Sequence, residues 1–250
     1  MQKRVEFCVE NQKLVGDLHL PDNSVAPFPC LVLSHGYMGN RNGEKHLQIG
    51  YRFPLEGMAV LRFDHLGALG GESGGQFEDT TLTGRVRDLT AVLDYLKGIP
   101  EVDSTRVGLL GSSLGGTTIL ALPKSETIRA IVLLSTPVAI PVLRVEARER
   151  LGKQGFLQYP DGTRIKKTFF DDLARYDLLA EVRKIRCPLL IIHSDLDNQV
   201  PRHQAFVIYR NAAEPKAIRM IEGADHAFSD TEKLNEVLAL ALDWFLKYLL

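Results

Sequence analysis

One stretch constrains the fold more than any other: Val107-Gly108-Leu109-Leu110-Gly111-Ser112-Ser113-Leu114-Gly115-Gly116-Thr117-Thr118-Ile119-Leu120. It reads as a short apolar strand, a turn built almost wholly of small residues, and the start of a helix. Strand and helix pass close together at such a turn, so bulky side chains two residues either side of its apex are excluded. Gly111 and Gly115 flank Ser113 at that spacing, a G-x-S-x-G pattern. Centring the pattern on Ser112 instead would put Leu110 and Leu114 where glycine is needed. Ser113 is therefore the apex, with its hydroxyl pushed out beside the free N–H groups of a helix N-terminus. The same pattern also serves as a plain strand–helix connection. What separates the two uses is whether an acid and a histidine follow in matching contexts.

The remainder of the chain supplies the context. Residues 3–10 and 13–20 read as an antiparallel hairpin turning at Asn11-Gln12. A continuous apolar run at 30–33 and mostly apolar strands at 59–63, 106–110, 128–134 and 188–192, with a further strand at about 216–221, have the pattern of a parallel sheet buried on both faces. Helical patterns at 44–56, 82–96, from the elbow to about 122, at 202–211 and at 231–249 fall between or after them. In 82–96 the apolar side carries Leu82, Val86, Leu89, Val92, Leu93 and Leu96. Such alternation predicts βαβ units with right-handed crossovers. The rhythm breaks over about 137–180, which holds a helix from Val142 to Leu151, an extended piece around Tyr159-Pro160-Asp161-Gly162, and Phe169-Phe170. This is too long for an ordinary loop and reads as a small inserted cap over the sheet's carboxyl edge.

Composition excludes several classes. The 250 residues suffice for one large α/β domain, and a net charge of −1 gives no electrostatic case for nucleic acid or an anionic membrane. The three cysteines, Cys8, Cys30 and Cys187, show neither C-x-x-C nor metal-ligand spacing, and are expected as buried, reduced thiols. With no apolar leader segment and no stretch of membrane-spanning length, the expected location is cytoplasmic.

Each chemically suggestive loop follows a predicted parallel strand, which is where open α/β sheets bind ligands. Ser113 is followed by acids at Asp195 and Asp197 and then by His226, the chain order Ser…Asp…His. Four segments carry a resemblance over essentially the whole chain: His35-Gly36-Tyr37-Met38-Gly39, Gly111 to Gly116, His193 to Pro201, and Gly223-Ala224-Asp225-His226. The sequence is similar to serine α/β-hydrolases, and among them to the cinnamoyl/feruloyl esterase-like carboxylesterases. The resemblance implies an α/β-hydrolase fold: a mostly parallel sheet flanked by helices, an N-terminal hairpin and a cap within a single domain. It implies Ser113 as nucleophile, His226 as base and Asp197 as the orienting acid, with Asp195 the competitor. It also implies an oxyanion hole made by the backbone N–H groups of Tyr37 and Leu114. Related sequences usually read D-x-R-G-x-G-x-S, whereas Asp64-His65-Leu66-Gly67-Ala68-Leu69-Gly70-Gly71-Glu72-Ser73 is longer and lacks the arginine.

The expected activity is serine carboxylesterase action on short-chain or aromatic, hydroxycinnamoyl-type esters through a seryl acyl-enzyme, without metal or other cofactor. Tyr37, Tyr159, Phe169 and Phe170 are the expected substrate-binding residues. A small-molecule ester is the expected partner, and a homodimer is the one association allowed for. A peptidase or thioesterase with the same triad is the alternative, and a non-catalytic binding protein on the same fold is the rival from another class.

Overall fold

The chain begins with the hairpin, β1 (Gln2–Val9) and β2 (Gln12–His19) paired antiparallel. Its turn is Glu10-Asn11, at φ 46° and 65°, the doubly positive geometry that matches strand twist. Gln12, expected in the turn, already pairs as a strand residue. Strands and helices then alternate: β3 (Phe28–Ser34), α1 (Glu44–Arg52), β4 (Ala59–Asp64), α2 (Leu82–Leu96), β5 (Val102–Ser112), α3 (Leu114–Ala121) and β6 (Ile128–Leu134). An inserted segment follows, with α4 (Val145–Gln154), the small hairpin of β7 (Phe156–Gln158) and β8 (Arg164–Lys166), and α5 (Lys167–Leu173). Then α6 (Leu178–Arg183) leads back to β9 (Leu189–Ser194), α7 (His203–Asn211), β10 (Lys216–Ile221) and α8 (Thr231–Tyr248). The computed structural model describes residues 1–22, 25–139 and 144–250.

Eight strands form one sheet in the order β1-β2-β4-β3-β5-β6-β9-β10, parallel from β4 onward. Period-two alternation divides the apolar strand residues between two faces. Val32, Leu61, Phe63, Leu109, Leu133 and Ile191 pack with α2, α3 and α7 on one side. Leu31, Leu33, Val60, Leu110, Val132 and Ile192 pack with Ile49 of α1 and the broad face of α8 on the other. Both faces are covered, which is why these strands read as mostly apolar runs. At roughly 25 cal/mol per Å² of buried apolar surface, that double burial is the main favourable term holding the sheet.

Several boundaries moved for physical reasons. The helix expected over 44–56 ends at Arg52, because Pro54 starts a tighter turn over Phe53–Glu56. The helix expected from Val142 is seen from Val145, since 140–143 lie outside the described residues. Cys8 is exposed rather than buried, because it points outward from the edge strand β1; Cys30 is buried and Cys187 half-buried. The inserted segment is tied to the start of α2: Asp172 accepts from Thr83 N–H at 2.8 Å and Thr83 Oγ1 at 2.6 Å, and Lys166 pairs with Asp79 at 2.6 Å. No helix among the described residues is long and apolar enough to cross a membrane.

Candidate active site

Three loops at the carboxyl edge of the sheet carry the predicted residues. Ser113, between β5 and α3, adopts φ 52° and ψ −122°, a conformation few non-glycine residues accept. Its N–H donates to Leu134 O at 2.8 Å, and its carbonyl accepts from Gly116 and Thr117 N–H at 2.9 and 3.2 Å, so the turn is held from both sides. The flanking glycines follow from contact: a Cβ on Gly111 would lie 2.5 Å from Gly116 N, and one on Gly115 would lie 1.9 Å from Ser34 O.

His226 follows β10 and is partly exposed; Asp197 follows β9 and its side chain is fully buried. Asp197 Oδ2 accepts from His226 Nδ1 at 2.7 Å, while Oδ1 accepts from Gln199 and Val200 N–H at 2.9 and 2.7 Å. Burial alone would raise the Asp197 pKa. The donors from His226, Val200 and Gln199 outweigh burial and bring it down to about 2. Asp195, the competing acid, instead accepts from Gly223 N–H at 2.8 Å and ties together the β9 and β10 loops. The buried His193 lies behind, donating Nε2–H to Val200 O at 2.9 Å to hold the acid's loop. Asp197 and His226 are thus brought into contact, whereas the Ser113 hydroxyl makes no hydrogen bond among the described residues. Catalytic serine–histidine bonds are often long in unliganded enzymes and tighten on the substrate.

The two amides expected to face an oxyanion are oriented by their own peptide planes. Leu114 is the first residue of α3, so its N–H has no intrahelical acceptor. The Tyr37 N–H shares a peptide with Gly36 O, which accepts from His35 Nδ1–H at 2.8 Å. His35 Nε2 accepts from His65 N–H at 3.0 Å, so both ring nitrogens are committed and the tautomer is set. Burial, with the Arg85 charge beside it, pushes the His35 pKa well down and keeps the ring neutral.

Of the four aromatic residues, Tyr37, Phe169 and Phe170 form one chain of ring contacts. The Tyr37 ring lies 4.8 Å from that of Phe169, which meets Phe170 edge-on at 5.4 Å. Burial, with a smaller contribution from Tyr159, raises the Tyr37 pKa. Their exposure differs: Phe169 packs into the core, and Tyr159 is exposed at the tip of the β7–β8 hairpin. A cavity of about 480 Å³, lined by Leu122, Lys124, Ile128, Ile185 and Cys187 among others, opens at the opposite, amino edge of the sheet, away from these residues.

Three features escaped the sequence. Lys45 of α1 donates to Ser112 Oγ at 3.0 Å and lies 5.4 Å from the Phe228 ring, joining α1 to the serine and histidine loops. Burial lowers its pKa to about 8 against the opposing pull of Asp225 and Asp197. Arg41, in the β3–α1 connection, donates its N–H to Asp64 at 2.7 Å and its guanidinium to Asp64, Asp17 and Glu72, so an arginine from outside the glycine loop reaches its acids. Asp64 also accepts from Glu72 N–H at 2.9 Å, which ties the glycine loop to the end of β4. Finally, Ser34, His65 and Asp88 form a fully interior chain, with His65 Nε2 2.9 Å from Ser34 Oγ and Nδ1 3.3 Å from Asp88 Oδ2. Strand residues and a helix residue far apart in sequence carry no local signal for any of these.

Known proteins share this arrangement at the level of fold. A feruloyl-ligand structure, "Ferulic Acid bound to Est1E from Butyrivibrio proteoclasticus", superposes with a TM-score of 0.86 at 22% identity over 97% of this chain and 98% of that one. The esterase domain of a Rhodothermus marinus protein superposes at 0.73 with 25% identity, over 100% of this chain and 99% of that one. In sequence, the human mitochondrial palmitoyl-protein thioesterase ABHD10 is 28% identical over 193 residues, 72% of this chain and 60% of that protein, so the match spans less than two thirds of the relative. Residues 55–250 match the model of the prolyl oligopeptidase family. The chain is a hydrolase-fold protein with esterase and thioesterase relatives, and it belongs to the prolyl oligopeptidase family within the α/β-hydrolases.

Proposed function

We propose that the protein is a serine hydrolase that cleaves carboxylic esters through an acyl-enzyme on Ser113. The observation that carries this reading is the 2.7 Å contact from His226 Nδ1 to a carboxylate held low in pKa, on the sheet edge that also presents a strained serine. Donation of Nδ1–H to Asp197 leaves Nε2 as the free base. It takes the Ser113 proton as Oγ bonds to the acyl carbon, and later gives it to the leaving alcohol. Asp197 stays ionised and stabilises the imidazolium between these steps. The Tyr37 and Leu114 amides receive the carbonyl oxygen as it becomes negative, a role worth about 3–4 kcal/mol per donor in comparable sites. Water then repeats the sequence to release the acid.

The acyl group we assign is short or aromatic. Tyr37 and Phe170, backed by the buried Phe169, would offer flat apolar surface beside the oxyanion loop, with Tyr159 on the neighbouring β7–β8 hairpin as a further aromatic contact. A second reading, a thioesterase, is favoured by one observation, the likeness to the human palmitoyl-protein thioesterase. A panel of p-nitrophenyl esters, hydroxycinnamate methyl esters and matched acyl thioesters separates them. We expect kcat/KM to peak at acetyl to hexanoyl or hydroxycinnamoyl esters, with steps of about 1–3 kcal/mol per misfit methylene. A rate that climbs to palmitoyl, fastest on the thioester, replaces the first reading by the second.

A further inference from the structure

Behind the two oxyanion amides lies a charged side chain that the reaction scheme does not use. Arg85, early in α2, is only 3% exposed. Its terminal nitrogen donates to the main-chain carbonyl of His35, immediately before the Gly36-Tyr37 peptide. Its Nε donates to Thr118 Oγ1 at 3.2 Å, and the Thr118 hydroxyl donates to Leu114 O at 2.8 Å. One guanidinium therefore grips both halves of the hole: the β3 loop directly, and the first turn of α3 through Thr118. These two halves come from segments nearly 80 residues apart: their strands pair as far as Ser34 and Gly111, and among the described residues no backbone hydrogen bond outside the sheet joins the loops beyond.

The charge is also unusual. No carboxylate is hydrogen-bonded to Arg85 among the described residues; Asp88, one turn further along α2, is directed to His65 and Leu66 N–H. Asp88 still attracts its charge from that position, as does the Tyr37 phenol more weakly, while His35 and His65 are held neutral. Burial draws the guanidinium pKa down to about 9, which leaves it charged at neutral pH. A buried arginine with neutral acceptors is costly to keep, and a fully paired or apolar side chain would serve packing better.

We propose that Arg85 is a positioning residue for the oxyanion hole: by gripping the β3 loop and the first turn of α3 together, it sets the spacing of the Tyr37 and Leu114 amides. The proposal rests on the serine-acylation reading. Hydrogen-bond donors that need no reorganisation are what make such a hole effective, and a misplacement of about 1 Å can cost roughly 10²-fold in rate.

The test uses an alkyl trifluoromethyl ketone. Ser113 Oγ bonds to its carbonyl carbon, the C=O π pair becomes the oxyanion, and the serine proton passes to His226, so its Ki reads the hole without turnover. Wild-type protein is first checked for fluorophosphonate labelling at Ser113; if it is unlabelled, the serine reading falls and this proposal with it. With labelling in hand, Arg85→Met should lower kcat on p-nitrophenyl acetate by about 10²-fold with KM within about threefold, and raise the ketone Ki by the same factor. Arg85→Lys should recover part of both, since an ammonium reaches one acceptor but lacks the guanidinium's two-way fork. Thr118→Val, which removes only the indirect half, should cost about tenfold in each. Wild-type kcat and Ki in folded Arg85→Met overturn the proposal alone. So does a fall in kcat that tracks Tm while the ketone Ki stays put. If Arg85→Met does not fold, Arg85→Lys and Thr118→Val decide, and wild-type Ki in both is the overturning result.

Discussion

Among the described residues two groups of serine, histidine and aspartate stand in different settings, and the proposed function uses only one of them. Ser34, His65 and Asp88 are wholly interior, with the serine in the regular backbone of β3. Ser113, His226 and Asp197 lie on loops beyond the strand ends, with the serine in strained backbone and the histidine partly exposed. The acids differ as much as the serines. Asp197 has three hydrogen-bond donors and is drawn down to about 2. Asp88 accepts from His65 and from Leu66 N–H, its Oδ1 has no partner among the described residues, and burial pushes it up to about 6. A carboxylate surrounded by donors stays ionised and can steady an imidazolium. One starved of donors tends toward the neutral form and can only hold a neighbour in place. Residue types alone therefore do not define a catalytic triad; the surrounding donors and the access to the serine do.

The sharpest way to break the comparison is to remove each serine hydroxyl. Ser113→Ala should lower kcat by on the order of 10⁶ and abolish fluorophosphonate labelling. Ser34→Ala should keep labelling and kcat within about tenfold, and lose about 1–2 kcal/mol of stability as His65 Nε2 is left without its partner. Chemical denaturation and active-site titration read the two effects separately. A Ser34→Ala protein that is stable but inactive would mean the interior chain takes part in chemistry.

The acids extend the contrast to pH. Asp197→Asn should cost roughly 10⁴ in kcat, because an amide selects the wrong histidine tautomer, whereas Asp195→Asn and Asp88→Asn should cost far less. Their stability signatures run in opposite directions. Asp88 binds its proton more tightly folded than unfolded, so its contribution is fully favourable below about pH 4 and is lost as pH rises through about 6. Asp197 binds its proton more weakly folded, so its contribution is present above about pH 4 and is lost as pH falls toward 2. Relative to Asp88→Asn, wild type should therefore lose on the order of 2 kcal/mol between pH 4 and pH 7. Relative to Asp197→Asn, it should lose stability only on acidification. Urea midpoints across pH 3–7 for the three proteins test both signs.

The parts legible in sequence were those with local causes. Gly111 and Gly115 betrayed the elbow because strand and helix collide with any larger residue there. The apolar runs betrayed the parallel sheet because both its faces are covered. Ser113, the acids Asp195 and Asp197, and His226 each fell after a predicted strand, and the resemblance to serine α/β-hydrolases singled out Asp197. What sequence left dark is the layer behind the site. Arg85 reaches His35 and Thr118, Arg41 reaches Asp64, and Lys45 reaches Ser112, each across a separation of 20 residues or more that no periodicity records. The break at Pro54 was visible, yet the apolar pattern continued through it, and periodicity alone ran the helix on.

The smallest expected effect concerns Ser112, the neighbour that shares the serine turn without sharing its role. Its hydroxyl is 7% exposed at the residue level and accepts from Lys45 Nζ at 3.0 Å, so it faces α1 and not the open edge. Ser112 also retains ordinary strand pairing to Leu134, whereas the following residue takes the strained conformation. Ser112→Ala should therefore remain labelled at Ser113, with kcat lowered less than about tenfold. The lost bond leaves the half-buried ammonium one partner short, which for a charged donor costs about 1.5–3 kcal/mol, or roughly 3–10 °C in Tm for a chain of this size. Lys45→Met removes the donor instead of stranding it and should cost less stability than Ser112→Ala, because no unpaired charge remains. Mass mapping of the adduct to Ser112 in wild type, or loss of labelling in Ser112→Ala, would move the nucleophile by one residue and undo the geometry on which the contrast between the two triads depends.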